Sequence, residues 1–195
     1  MEKGEGYSLS KVIALYGPSA SGKTEIQASL SAIGVPKLIT VTTRKPREGE
    51  KDGVHYHFMN HSAFEKGIAA GEFMEWTRYN GELYGTLAAS IEETAASRQP
   101  ATIILDLAGV LALKERYSHI FALYIGADIA SIKRRLLARG GDSEDARRRF
   151  ARAEEIELGE AYLGAADRIV WNGDGISFEA TMRQVKSIVN EALAR

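Results

Sequence analysis

The sequence predicts an α/β protein in which a parallel β-sheet lies between two layers of helices. Three observations predict it. Four short runs are continuously apolar rather than alternating: VIALY (12–16), TIILDL (102–107), IFALYI (120–125) and RIVW (168–171). Continuous apolar strands are buried on both faces, as parallel strands are. Segments of helical period lie between and after them, at 23–33 (ended by Gly34), 87–97, 109–117, 129–138 and 177–193. Strands that alternate with helices build a three-layer fold with right-handed crossovers. The third observation is GPSASGKT (17–24), a glycine-rich turn that joins the first run to the first helix.

The remaining elements follow in chain order. The first residues, up to about Ser10, are expected to form a disordered tail. From about Leu38 to Thr86 the strand–helix rhythm stops, and Gly, Pro, aromatics and short alternating pieces appear, as in FMEWTRYNGELYGT. This pattern predicts a small mixed β insertion with a hairpin turn at Asn80-Gly81. From Arg139 to Glu157 the chain is highly charged and poor in apolar residues. It is expected to be helical and to project into solvent as a candidate lid.

Composition narrows the function. The 195 residues suit one domain with insertions, and 45% are hydrophobic, enough for a sizeable core. The net charge is −1, which gives no overall basic field to hold nucleic acid. There is no cysteine, so disulfides, thiolate metal sites and a cysteine nucleophile are excluded. No run approaches the roughly 20 apolar residues of a membrane helix. The polar start MEKGEGYSLSK does not read as a secretory signal, so a cytoplasmic protein is expected. The four histidines (His55, His57, His61, His119) show no metal-ligand spacing and are read as structural or exposed.

A strand, the loop of Gly17, Pro18, Ser19, Ala20, Ser21, Gly22, Lys23 and Thr24, and then a helix form the context a phosphate-binding loop requires. Gly17 and Gly22 let successive backbone N–H groups turn inward around an anion. The loop opens into a helix N-terminus, whose partial positive charge adds to the attraction. Lys23 is expected to reach the β and γ phosphates of a nucleoside triphosphate, and Thr24 to offer a hydroxyl to Mg²⁺.

The insertion carries TTRKPREGEKDGVHYHF (42–58). Arg44 and Arg47 flank Pro46, so two guanidinium forks can converge on one phosphate. Tyr56 and Tyr84 can add hydroxyl donors. A charged loop can equally be no more than a solvated one. Together with EFMEW (72–76) and LYGT (83–86), however, the segment resembles the nucleoside-monophosphate-binding region of guanylate kinases, and the resemblance runs from Gly17 through DRIVWNGD. It implies a P-loop kinase core with a mixed β GMP-binding insertion and a helical lid. The implied boundaries are 10–38, 87–128 and 160–195 for the core, 39–86 for the insertion and 129–159 for the lid. It implies that Arg44, Arg47, Tyr56 and Tyr84 hold the GMP phosphate, that Thr40 and Thr86 lie at or beside the guanine, and that Glu75 reads it. Guanine's N1–H and 2-amino group are adjacent donors that one carboxylate can accept together, whereas adenine leaves it unpaired.

Asp106, at the C-terminal end of a predicted central strand, stands where α/β sheets bind ligands and can orient Mg²⁺ waters or touch GMP. The family usually has Asp-x-Asp here, followed by a Gln. A gapless match places Asp106 on the second Asp, Ile104 on the first and Ala108 on the Gln. Ala20 stands where the family's loop commonly has Gly. In the basic stretch 133–152 the resemblance implies that some arginines swing over the ATP phosphates, with Arg135, Arg139 and Arg149 as candidates and Arg148 beside them. It places Asn172 near the adenine, although a turn or cap residue reads the same way.

The expected activity is transfer of the γ-phosphoryl group of ATP to GMP or dGMP, with Mg²⁺ and no side-chain base. The expected partners are small nucleotides, with no nucleic acid or membrane, and the protein is expected to be a monomer or homodimer. Two alternatives are a same-fold kinase of another phosphorylated acceptor, such as ribose 1,5-bisphosphate, and a non-catalytic binding module of this fold.

Overall fold

The computed structural model describes residues 11–79, 81–97 and 99–194. The expected tail and Asn80 of the expected turn lie outside the described residues. A parallel sheet of β1 (Val12–Tyr16), β6 (Ala101–Ile104), β7 (Ile120–Gly126) and β8 (Arg168–Trp171) runs in the order β6-β1-β7-β8. Residues 36–38 extend the β6 edge, where Thr102 N donates to Pro36 O and Leu38 N donates to Thr102 O, both at 2.8 Å.

Every side chain of β1 is buried because both faces of the sheet are covered. Val12, Ala14 and Tyr16 face one side, with Ile91 of α3 (Ala88–Ser97) and Val110 and Leu113 of α4 (Leu107–Arg116). Ile13 and Leu15 face the other, with Ile26 and Leu30 of α1 (Lys23–Ser31) and Met182, Val185 and Val189 of α8 (Phe178–Leu193). That is the predicted three-layer α/β core.

Two boundaries differ from expectation. The run TIILDL stops as a strand at Ile104, because Asp106 turns to cap α4 and its Oδ1 accepts from Gly109 N at 2.8 Å. The insertion is a mixed sheet of order β3-β2-β5-β4, built from β2 (Val41–Thr42), β3 (His57–Phe58), β4 (Phe73–Tyr79) and β5 (Glu82–Leu87). It also contains a helix that periodicity did not predict, α2 (His61–Ala69), capped by the Asn60 side chain. Only Phe64 and Gly67 of α2 are buried, too narrow a stripe to announce itself in sequence. Phe64 stacks on Phe73 with ring centroids 4.1 Å apart, in a small core with Val41 and Leu83.

The charged stretch is helical but not wholly solvated. It holds the end of α5 (Ile129–Gly140), α6 (Glu144–Arg152) and a π-helical turn (Ala153–Glu157), and α7 (Glu160–Gly164) follows it. Ala146 and Ala153 pack with Ile132, Leu136 and Ala127 in a cluster of their own. Among the described residues no helix is long and apolar enough to cross a membrane.

The Phe64–Phe73 pair sets the stability of the insertion. Phe64→Ala is expected to cost about 3–5 kcal/mol, the usual penalty for truncating a buried aromatic ring. Urea unfolding checks it, and a loss under about 1 kcal/mol would show that the insertion is held by something else.

Candidate functional site

The phosphate loop leaves β1 at the C-terminal edge of the sheet and is packed too closely for ordinary residues. A Cβ on Gly17 (φ 127°) would collide with the Ile125 carbonyl, and one on Gly22 (φ 97°) with the Asn172 amide. Ala20, at φ 63°, is the one non-glycine residue with positive φ among the described residues. The left-handed region costs an L-residue roughly 1–2 kcal/mol, so the path of the loop holds Ala20 under strain. Lys23 folds back on the loop and donates to Gly17 O at 2.8 Å and Pro18 O at 2.7 Å. Burial lowers its pKa to about 8, against the opposing pull of the Glu157 carboxylate.

A cavity of about 240 Å³ opens beside the loop. Gly17, Ser19 and Lys23 form one wall, Thr40, Tyr56, Glu75, Thr77, Tyr84 and Gly85 of the insertion a second, and Ile104, Leu105 and Asp106 at the end of β6 a third. Arg152, Glu157 and Tyr162 complete it. Eight of the residues singled out from sequence therefore meet in one space: Gly17, Ser19, Lys23, Thr40, Tyr56, Glu75, Tyr84 and Asp106.

Glu75 and Thr86 face each other across β4 and β5, which pair antiparallel. Thr86 is fully buried, and its hydroxyl donates to Glu75 Oε1 at 2.5 Å. A Cβ on Gly109 would sit 3.2 Å from Glu75 Oε2, so the first turn of α4 leaves that oxygen just enough room. Burial pushes the Glu75 carboxyl up to about 7; the Thr86 hydrogen bond opposes this, and the Asp106 charge adds to it. The group is thus poised between its ionised form, which only accepts hydrogen bonds, and its neutral form.

Arg44 and Arg47 both act by their charge on Glu50 and Tyr56. Arg44 is paired with Glu50 at 2.9 Å, donates to Lys45 O at 2.7 Å and lies over the Tyr56 ring, 5.6 Å from its centroid. A hydrogen bond with Tyr84 links it to the cavity wall. Arg47 has an exposed side chain, and its backbone N–H donates to Glu50 Oε2 at 2.7 Å. Glu50 therefore occupies the cationic face of this loop.

The lid arginines selected from sequence lie outside the cavity. Arg135 pairs with Asp174 at 2.9 Å and donates to Ala20 O, Arg139 pairs with Glu25 at 2.8 Å, and Arg148 and Arg149 pair with Asp145. Arg135 and Arg139 line a second groove, of about 330 Å³, with Ala20, Gly22, Asn172, Ile176 and Phe178. Pro18 and Ser21 are buried in the loop itself. Asn172 is a brace as well as a wall: its amide donates to Ser21 O at 2.8 Å and accepts from Thr181 at 3.1 Å.

Arg152, Glu157 and Tyr162 were not singled out from sequence. Arg152 closes a run of arginines that all look alike in one dimension, and no local signal separates it from its neighbours.

For a metal, the donors at hand are few. The Thr24 side chain is exposed at the first turn of α1, and among the described residues no three His, Asp or Glu side chains gather as a cage. A single hydroxyl suits Mg²⁺ that arrives on nucleotide phosphates and keeps its waters. The residues fit that role and no resident metal.

Comparison with known proteins adds an independent line. A family model described as guanylate kinase matches residues 9–192. The guanylate kinase of Symbiobacterium thermophilum is 36% identical over 179 residues, covering 89% of this chain and 83% of that protein. The guanylate kinase of Schizosaccharomyces pombe is 37% identical over 186 residues, covering 91% and 89%. The crystal structure of guanylate kinase from Anaplasma phagocytophilum superposes with a TM-score of 0.75 over 96% of this chain and 88% of that one, at 22% identity, a likeness of fold.

The environment of Glu75 generates a measurable expectation. The Thr86 hydroxyl favours the carboxylate, so Thr86→Val should raise the Glu75 pKa above about 7, by roughly one unit for a hydrogen bond worth about 1.4 kcal/mol. Carboxyl-carbon NMR titration of both proteins reads it. An unchanged midpoint would mean that burial alone sets the value.

Proposed function

The chain belongs to the guanylate kinase family of P-loop nucleoside monophosphate kinases, and from that premise we propose that it transfers the γ-phosphoryl group of ATP to GMP or dGMP, giving ADP and GDP. One observation carries the choice of acceptor: Glu75, held from behind by the buried Thr86 hydroxyl, lines the cavity that Gly17, Ser19 and Lys23 of the phosphate loop also line. An ionised Glu75 accepts from N1–H and the 2-amino group of guanine. The Thr86 hydroxyl, already bound to the carboxylate, fixes its rotamer. Tyr56, Tyr84, Arg44 and Arg47 receive the acceptor phosphate once Glu50 yields, and Thr40 lies beside the base. Asp106 borders the acceptor and orients water.

The loop amides of residues 17–24 and Lys23 take the donor phosphates. Arg135, Arg139 and Asn172 line the groove on the far side of Gly22, which suits the donor nucleoside. Mg²⁺ bound to the donor, next to Thr24, would offset phosphate charge. A nucleotide monophosphate is mostly dianionic at neutral pH, its second pKa being about 6, so no side-chain base is required. The protein's task is alignment of two anions and relief of their repulsion. We assign 39–86 as the acceptor module and 129–159 as a lid that closes over both substrates and excludes water.

Measurement of ADP release with GMP, dGMP, IMP and AMP tests the reading. Glu75→Gln places an amide donor against a guanine donor. An unmet buried polar group costs roughly 1–3 kcal/mol, so kcat/KM for GMP should fall by about one to two decades while that for AMP holds or rises. IMP, which lacks the 2-amino group, should fall between them. An equal loss for all four acceptors would remove Glu75 from base reading. In the wild type, KM for GMP should rise as pH drops below about 7, because the Glu75 carboxyl is then protonated.

A further inference from the structure

Among the described residues, Lys23 and Arg152 are the two cationic side chains that line the central cavity. Arg152 is held there by the core rather than by the outer helices. Its Nε donates to Glu157 Oε1 at 2.8 Å, and it shares a hydrogen bond with Tyr162. Tyr162 is buried and stacked on Tyr16, whose hydroxyl donates to Tyr162 O at 2.6 Å. Tyr124, also in the core, donates from its hydroxyl to Glu157 O at 2.8 Å. By contrast, Arg135, Arg139, Arg148 and Arg149 are engaged by carboxylates outside the cavity.

The π-helical turn explains the pairing. Residues five apart on an α-helix point about 140° away from each other. In a π turn, with hydrogen bonds from i to i+5, they share a face, and such turns cluster at functional sites. Arg152 and Glu157 bracket this turn, so Glu157 reaches back to the guanidinium. The second oxygen of Glu157 is buried with no partner. A buried pair serving stability alone would satisfy both oxygens. Here a single carboxylate bonds one cation and acts through its charge on the other, Lys23.

We propose that Arg152 is a further catalytic residue, a fixed cation in the same cavity as Lys23 that binds the phosphoryl group in transit, and that Glu157 is the positioning residue that aims it. The proposal rests on the phosphoryl transfer described above. In that step an oxygen of the acceptor phosphate forms a bond to the γ-phosphorus. The bond from that phosphorus to the β–γ bridging oxygen breaks, and its electron pair leaves on the β-phosphate of ADP. No proton moves, because the attacking oxygen is already anionic. Charge builds on the three equatorial oxygens of the transferring group, and a planar guanidinium fork is suited to two of them at once.

The experiment measures kcat, KM for ATP and GMP, and melting temperature for the wild type, Arg152→Ala, Arg152→Lys and Glu157→Gln. Arg152→Ala is expected to lower kcat about a hundredfold or more, with KM for GMP within about threefold, as for loss of a contact made in the transition state. Arg152→Lys keeps the charge but not the fork and should lose about tenfold in kcat with little change in melting. It decides the matter if the alanine variant is unstable. Glu157→Gln removes the charge that holds up the Lys23 pKa, so the alkaline limb of kcat/KM for ATP should move to lower pH. A purely structural pair would instead lower melting in both variants, leaving kcat and the pH limb in place, and that result overturns the proposal. A wild type that releases no GMP-dependent ADP would sink the functional reading instead, so the two failures are separable.

Discussion

The site depends on how closely the phosphate loop is pressed against the C-terminal edge of the sheet. Gly17 lies on the Ile125 carbonyl and Gly22 on the Asn172 amide, with no space for a Cβ at either place. Asn172 in turn ties the Ser21 carbonyl to Thr181 of α8. The loop is therefore fixed by β7, by the segment after β8 and by the last helix, none of which is near it in sequence. Its backbone N–H groups, the start of α1 and Lys23 all take their positions from that seating. A rigid anion cradle needs no reorganisation when charge develops in it, which is where catalytic electrostatics gain most. The strained Ala20 belongs to the same constraint: the loop path dictates a left-handed residue whether or not a glycine is available.

Around this cradle four arginines are each matched by a carboxylate. Arg44 has Glu50, Arg135 has Asp174, Arg139 has Glu25 and Arg152 has Glu157. Without such partners, half-buried guanidinium groups would repel one another and Lys23. Of these pairs only Arg139–Glu25 is well exposed, and a pair of that kind contributes little to stability. Glu157, by contrast, is buried, keeps one oxygen unpartnered and is fixed to the core through Tyr124.

Glu75 shows the same economy with opposite sign. Glu75 is taken out of water, and burial raises its pKa to about 7. The Thr86 hydroxyl limits that rise. Burial therefore moves its titration to neutral pH, where an exposed carboxylate is fully ionised.

Much of this was legible in the chain. The continuous apolar runs became the four parallel strands, and the helices between them fell within a few residues of expectation, because periodicity and end signals are local. Gly17, Gly22 and Lys23 could be read because a strand–loop–helix turn around an anion permits few residue types. Eight of the residues marked from sequence do line one cavity. The helix α2 was missed because it buries too little of itself to show a pattern. Tertiary structure alone decided the strand order that centres β1 and β7, the retention of Arg44 by Glu50, and the choice of Arg152 from a run of similar arginines. These depend on partners tens of residues away and on one π turn, and on the burial that sets the charge of Glu75. A linear pattern fixes which groups the chain offers, whereas distance, burial and dielectric fix which of them meet and in what protonation state.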